Sequence, residues 1–174
     1  RLIWEMARFL LFSWTPIPLF GGWRRWVLRS FGAHVGKGCR VDSSCRIWLP
    51  RNLTMGDFAC LAQGVDCYNV APIRIGSYAT VSQRSFLCTA SHDTRQMARP
   101  LVFAPIEIGE HAWICAEAFV GPGVTVATGA VLAARSVAMR DIAAWSINAG
   151  VPAKWISERH IDSEPQVDIA SHGE

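Results

Sequence analysis

Aliphatic residues recur at every sixth position through the middle of the chain. Residues 35–143 contain fifteen units of six, and thirteen of them begin with Val, Ile, Leu or Met. The fifth residue of a unit is Ala, Ser, Cys or Val in thirteen cases, and the second is often Gly. This period is neither that of a helix nor the alternation of a half-buried strand. The units begin at Val35, Val41, Ile47, Met55, Leu61, Cys67, Ile75, Val81, Leu87, Ile108, Ile114, Val120, Val126, Leu132 and Ala138.

Three consecutive units predict one coil of a triangular parallel β-helix, with a short strand on each face and a turn at each corner. We expect the aliphatic residue to point into the prism and the small fifth residue to fit beside it near a corner. Glycine at the second position is expected to supply unusual turn dihedrals. Stacked coils pair each strand with the next, so the domain is all-β. The predicted coils are 35–52, 55–72, 75–92, 108–125 and 126–143.

Residues 1–31 form a separate apolar and basic segment before the repeat. Residues 2–14 predict a helix that is apolar nearly all round, ended by Pro16 and Pro18. Its apolar run is shorter than the roughly 20 residues that a membrane span needs. Residues 22–31 mix Trp with Arg, which suits a membrane interface. They also suit a cap on the open end of the β-helix, and both interpretations remain open.

The longest interruption of the repeat comes immediately after His92, whereas the additions between the first three coils are only two residues long. Residues 93–107 leave the register, and Ile108 restores it. An excursion from a rigid scaffold is a common place for binding and catalysis, so we expect this loop to carry the chemistry. Residues 144–174 form a C-terminal extension, and the polar composition after about residue 162 predicts a frayed end.

The charge and the cysteine content of the chain indicate which partners and which location to expect. The formal charge is +3 and no Lys/Arg run occurs, which argues against a nucleic-acid partner. Charged residues make up 18% of the chain, below the roughly 25% of an ordinary domain. The six cysteines form no CxxC pair and no signal peptide is visible, so we expect reduced thiols and a cytoplasmic location.

Several stretches resemble the hexapeptide-repeat acyltransferases, most closely the colanic acid biosynthesis O-acetyltransferases. The resemblance implies a left-handed parallel β-helix and a homotrimer with active sites in the grooves between subunits. It also implies acetyl-CoA as the acyl donor and a hydroxyl of a sugar or glycan as the acceptor. The stretches are LCTASHD (87–93), PIEIGEHAWICAEAFVGPGVTV (105–126), GAVLAARSVAMRDI (129–142) and INAGVPAKWI (147–156).

By this resemblance His92 is the catalytic base, a role that the pKa range of histidine suits. Asp93 either fixes the tautomer of that ring or bonds its own turn. Trp113 is similar to a tryptophan that packs near the base and the acceptor. The related galactoside enzymes support the base with a loop Glu, and Pro100 stands at that position here. Asp93 and Glu107 are candidate replacements.

The resemblance also gives candidate positions for coenzyme A. Ala116 and Ala134 match positions whose backbone holds the pantetheine arm, and their small side chains allow close approach. Arg140 and Lys154 match basic positions that face the nucleotide phosphates. Backbone N–H groups at a corner would stabilise the oxyanion, with Ser91 as a candidate neighbour.

Two other functions fit a β-helix. A zinc enzyme of the γ-carbonic-anhydrase type needs three histidines, and only His92 and His111 lie near the loop, so no metal is expected. A non-catalytic scaffold would have no use for the loop histidine. The apolar and basic N-terminal segment suggests that the protein acts at the inner face of the cytoplasmic membrane, on a lipid-linked glycan precursor. A soluble sugar is the alternative acceptor.

Overall fold

The chain folds into a three-sided parallel β-helix, in a computed structural model that describes residues 1–12 and 21–161. The first face contains β1 (His34–Val35), β4 (Leu53–Met55), β7 (Ile73–Ile75), β12 (Ile106–Ile108) and β15 (Thr125–Val126). The second contains β2 (Arg40–Val41), β5 (Cys60–Leu61), β8 (Thr80–Val81), β13 (Trp113–Ile114), β16 (Val131–Leu132), β18 (Ser146–Ala149) and β19 (Lys154–Glu158). The third contains β3 (Arg46–Ile47), β6 (Asp66–Tyr68), β9 (Phe86–Cys88), β14 (Phe119–Val120) and β17 (Val137–Ala138).

The interior of the prism is filled by the residues that the six-residue period singles out. All fifteen first positions are buried, including the two misfits Cys67 and Ala138. The fifth positions are buried as well, except for Arg51 and Ser91. Each coil therefore adds one layer of aliphatic side chains to a continuous core, and the predicted fold is confirmed.

The repeat glycines serve a different purpose from the one expected. None of the second-position glycines has a positive φ. A Cβ on Gly109 would lie 2.4 Å from the Thr128 backbone nitrogen, and one on Gly56 would lie 2.6 Å from that of Ser77. Glycine is needed there because successive coils approach closely. The left-handed backbone falls at other corner positions, such as Tyr78 with a φ of 60°.

The N-terminal segment caps the open end of the prism with hydrogen-bond donors. It comprises α1 (Leu2–Ala7), a π-helical turn (Arg8–Phe12) and α2 (Gly21–Ser30). The first coil has no strand beneath it, so its carbonyl groups need other partners. Side chains from the two helices donate to carbonyls on all three faces, at distances of 2.7–2.9 Å: Trp4 to Ile47, Arg24 to Val41, Arg25 to Cys39 and Arg29 to Val35.

This cap explains the cluster of arginines at the start of the chain. Arg24 is buried and Arg25 is partly buried, so neither guanidinium is spread on the surface for lipid headgroups. The end of the predicted helix 2–14, with Pro16 and Pro18, lies outside the described residues. Within the described parts of the chain no helix is long and apolar enough to cross a membrane.

The C-terminal end of the prism is closed by a hairpin. β18 pairs in parallel with β16, so the second face runs one strand beyond the last predicted coil. β19 then folds back antiparallel on β18. The Arg159 side chain donates to the carbonyls of His111 and Gly129, which ties this hairpin to two earlier coils. The predicted frayed tail after residue 162 lies outside the described residues. No disulfide joins the six cysteines.

Candidate active site

His92 lies on a short hairpin that leaves the prism between the third and first faces. The hairpin, called the flap below, comprises residues 90–103 and pairs β10 (Ala90–His92) with β11 (Leu101–Phe103). The His92 ring is exposed to solvent, and its Nδ1 lies 2.6 Å from the carbonyl oxygen of Arg99. Ser91, the candidate neighbour of the oxyanion, is exposed on the same strand opposite Val102.

The Arg99 carbonyl determines which nitrogen of His92 carries the proton. A carbonyl oxygen only accepts, so Nδ1 is the protonated nitrogen and the Nε2 lone pair faces away from the flap. Arg99 reaches this position through a left-handed backbone, with a φ of 45°. Nε2 of the neutral ring is therefore unprotonated, and an imidazolium formed by its protonation would keep the Arg99 carbonyl as a hydrogen-bond acceptor.

The two carboxylates considered as partners of His92 are engaged elsewhere. The Asp93 carboxylate accepts hydrogen bonds from the backbone and side chain of Arg95 and from the side chain of Gln96. The side-chain hydrogen bond from Arg95 is the main reason that the pKa of Asp93 lies below its ordinary value. Glu107 lies on the first face and pairs with Arg74. Asp93 therefore closes the flap turn, and sequence reasoning missed the backbone of Arg99.

A buried threonine anchors the base of the flap. The Thr89 hydroxyl donates to the Tyr68 carbonyl at 2.8 Å and accepts from the Ala71 backbone nitrogen at 3.0 Å. The Ala104 backbone nitrogen donates to the Thr89 carbonyl at 2.9 Å. Thr89, which lies three residues before His92, thus fixes both strands of the flap to the preceding coil.

Trp113 lies on the second face, on a different side of the prism from His92. Its ring is 46% exposed, and its Nε1 donates to the Ser82 hydroxyl at 2.9 Å. That bond ties the indole to the neighbouring coil. No contact links Trp113 to His92 in the described part of one chain.

Ala116 and Ala134 lie one coil apart at the corner between the second and third faces. The Arg135 backbone nitrogen donates to the Ala116 carbonyl at 2.9 Å, so the two turns stack directly. Ala116 is partly buried and Ala134 is exposed, and neither has a side chain long enough to obstruct a ligand laid along the corner. The corner between Ala116 and Ala134 is therefore an open surface one coil long, which is called the track below.

A column of charged side chains runs beside this track. Glu117 forms ion pairs with Arg84 on one side and Arg135 on the other. These hydrogen bonds, that from Arg84 foremost, lower the pKa of the Glu117 carboxyl. Arg140 and Lys154 are exposed and lie farther toward the C-terminal end, Arg140 where the chain turns from the third face to the first after β17, and Lys154 at the start of β19 on the second face. Neither makes an ion pair within residues 1–12 and 21–161.

The predicted site residues thus fall into two separate groups on one chain. His92 and its flap lie at the corner between the third and first faces. Trp113, Ala116 and Ala134 lie on the second face and at its corner with the third. No group of three His, Cys, Asp or Glu that could hold a metal occurs among the described residues. A zinc site of the carbonic-anhydrase kind has no ligand set there.

Comparison with known proteins places this architecture among acyltransferases. No family model matches the chain. An Escherichia coli K12 protein assigned as a colanic acid biosynthesis acetyltransferase is 38% identical over 157 residues, covering 90% of this chain and 86% of the relative. The dTDP-4-amino-4,6-dideoxy-D-glucose acyltransferase of Escherichia coli is 27% identical, over 72% of this chain and 71% of the relative.

Solved structures agree on the fold. A maltose O-acetyltransferase from Clostridium difficile superposes with a TM-score of 0.83 and 24% identity, covering 92% of this chain and 87% of that one. A galactoside acetyltransferase in complex with coenzyme A gives a TM-score of 0.81 at 22% identity, covering 92% of this chain and 80% of that one. The prism is therefore the left-handed β-helix of these enzymes.

Proposed function

Because this chain belongs to the hexapeptide-repeat acetyltransferases related to colanic acid biosynthesis, it is an acetyl-CoA-dependent O-acetyltransferase, and we propose that His92 is its catalytic base. The acceptor is a hydroxyl of a sugar in a polysaccharide precursor. The observation that carries the assignment is the 2.6 Å contact between His92 Nδ1 and the Arg99 carbonyl oxygen. This contact leaves Nε2 free to accept a proton.

The reaction then follows from the geometry of that ring. Nε2 removes the proton of the acceptor hydroxyl while its oxygen attacks the thioester carbonyl carbon. The tetrahedral intermediate collapses, the carbon–sulfur bond breaks, and the imidazolium returns the proton to the sulfur of coenzyme A. The products are the acetyl ester and free coenzyme A. The Arg99 carbonyl stabilises the imidazolium between these two proton transfers, while Asp93 keeps the flap turn closed.

We propose that the donor lies along the corner formed by Ala116 and Ala134. Their backbone groups hold the pantetheine arm, and their small side chains let it approach closely. Arg140 and Lys154, which make no ion pair among the described residues, bind the nucleotide phosphates. Trp113 packs against the acceptor or the acetyl group. Most of the catalytic effect then comes from positioning two substrates together.

The separation of the site residues on one chain supports a homotrimer. His92 lies at one corner and the donor track along another, so a second copy must supply one of them. A ring of three copies joins the flap of each chain to the second face of the next. The flap also carries exposed apolar side chains, those of Leu101, Val102 and Phe103. These residues are suited to contact the neighbouring copy.

The same proposal includes contact with the inner face of the cytoplasmic membrane. Many large apolar side chains of the N-terminal segment are exposed, namely those of Leu2, Ile3, Met6, Phe9, Leu10, Trp23 and Trp26. Trp23 and Trp26 stack at 5.0 Å, and tryptophan favours the bilayer interface.

Vesicle flotation tests this contact: the double variant Ile3→Ser with Trp26→Ser should no longer float with vesicles, and its turnover of a free sugar should be unchanged. Equal flotation of the variant contradicts it.

Replacement of His92 tests the function directly. His92→Ala should lower kcat for acetyl transfer by roughly 10²–10⁴-fold, because general-base catalysis contributes about that factor. Binding of coenzyme A, measured by calorimetry, should stay unchanged. His34→Ala, which removes another exposed histidine on β1, is the matched control and should keep full activity. Unchanged turnover in His92→Ala contradicts the assignment.

A further inference from the structure

A groove on the second face runs from α2 to Trp113. It consists of two depressions that share Gln83. One has a volume of about 580 Å³ and is bordered by α2, and the other, of about 440 Å³, is bordered by Trp113. The strand register stacks Arg40, Cys60, Thr80 and Trp113 in one outward column. Three strand spacings separate Arg40 from Trp113, roughly 14 Å.

The α2 end of the groove is positively charged. Arg24, Arg25 and Arg40 line it together with a single carboxylate, Asp42. Arg24 is buried, donates to the Val41 carbonyl and lies close enough to Asp42 to interact with its charge. Arg25 uses Nη1 on the Cys39 carbonyl, and its partly buried side chain lines the groove. Two net positive charges remain at this end.

Arg40 differs from the other strand arginines of the prism. Arg46 and Arg74 each form an ion pair with a carboxylate on the next coil. The residue stacked on Arg40 is Cys60, and Arg40 makes no ion pair within the described residues. Its side chain is exposed and lines the groove. A planar guanidinium without a partner suits the two oxygens of a phosphate or a carboxylate.

The middle of the groove suits a sugar. Gln63 and Gln83 are exposed, and their side-chain amides, which offer both donors and acceptors, make no hydrogen bond with the described residues. Beyond them the Trp113 ring, fixed by Ser82, offers a flat apolar surface. Polar groups in the middle and an aromatic ring at one end match a short saccharide lying along the face.

From this arrangement we propose that the groove binds the acceptor and that the acceptor is an anionic glycan. Its phosphate or carboxylate group lies at Arg25 and Arg40, and the sugar that receives the acetyl group lies at Trp113. This inference rests on the proposed function, since it names the substrate class of the same site. A phosphate would come from a sugar phosphate or diphosphate carrier, and a carboxylate would come from a uronic acid.

Ligand binding without turnover tests the inference. Affinities of glucose 1-phosphate, methyl glucuronide and methyl glucoside are measured by NMR titration for the wild-type protein, Arg40→Gln and Arg51→Gln. Arg51 is an exposed arginine away from the groove, so its variant is the charge-matched control. At least one anionic sugar should bind the wild type about tenfold or more tightly than methyl glucoside, because a hydrogen bond to a charged group is worth that factor.

The variants separate the outcomes. Arg40→Gln should lose the preference for the anion and keep its affinity for methyl glucoside, while Arg51→Gln should behave as wild type. A preference for glucose 1-phosphate identifies the anionic group of the acceptor as a phosphate, and a preference for methyl glucuronide identifies it as a carboxylate. Equal binding of all three sugars, or equal effects of the two variants, overturns the inference. Absence of acetyl transfer by wild-type protein would contradict the proposed function instead, and it would leave this binding result standing.

Discussion

The coils of the prism and the flap are held together by different kinds of contact. In the coils, each inner strand bonds to the strands above and below it, and fifteen repeated positions fill the core. In the flap, all three residues of β11 are exposed, and two strands pair only with each other. The flap keeps its shape through a few polar contacts, namely those of Thr89, Asp93 and Arg99. The fold is thus specified by repetition, whereas the geometry of the flap and of His92 depends on single hydrogen bonds.

If the coils supply the stability, shortening one core residue should have the largest thermodynamic effect. Leu132→Ala removes a fully buried side chain, which should lower the free energy of unfolding by about 2–5 kcal/mol. Urea unfolding measures this change. Met97→Ala in the flap is the control, because Met97 is almost fully exposed, and it should change stability by less than about 0.5 kcal/mol. Similar decreases in the free energy of unfolding for both variants would contradict the claim that the coils supply the stability.

Removal of the flap anchor should have a smaller effect on stability and a selective effect on activity. Thr89→Val leaves the Ala71 N–H without its partner and removes one of the two hydrogen bonds that the Tyr68 carbonyl accepts from Thr89, at a cost of about 1–3 kcal/mol. The loosened flap should lower kcat and leave the KM for acetyl-CoA unchanged.

Thr89→Ser keeps the hydroxyl and is the matched control. It should restore most of the lost kcat, which a merely smaller side chain would not do. If the serine variant is as impaired as the valine variant, packing rather than hydrogen bonding anchors the flap.

The turn of the flap should show the smallest effect on stability, and the size of that effect depends on pH. The hydrogen bonds from Arg95 depress the pKa of Asp93 below its ordinary 3.8. Because the folded pKa is lower than the unfolded one, the contribution of Asp93 is present above the unfolded pKa. It is lost as pH falls through the folded pKa. An NMR titration of the Asp93 carboxyl should give a pKa below 3.8, and Arg95→Ala should raise it. An unshifted value in wild-type protein would show that the turn is open in solution.

The repeat made the prism predictable from sequence. The period of six identified the buried residues, including the atypical Cys67 and Ala138, because register alone determines which side chains point inward. The purpose of the glycines was mistaken, since their need arises from the backbone of the next coil, as at Gly109 and Thr128. The sequence of one repeat does not indicate how closely the next coil stacks on it.

The site was less predictable, because its key contact is made by backbone atoms. His92 stood out by its position before the break in the repeat. Any residue at 99 offers a carbonyl oxygen, so no side-chain pattern could point to Arg99 as the partner of the ring. The cap was foreseen as one of two alternatives for residues 1–31. The targets of its arginines, such as Arg24 on Val41, could not be named because they too are carbonyl groups.

Mixing two inactive variants tests most directly whether the flap of one chain serves the donor track of another. His92→Ala removes the base, and Ala134→Trp blocks the track at an exposed position. Each variant alone should be inactive. When the two are unfolded together and refolded at equal ratio, random trimers should restore about a quarter of the wild-type sites, since each mixed ring contains one interface between two intact halves. A mixture no more active than its separate components would contradict the shared site.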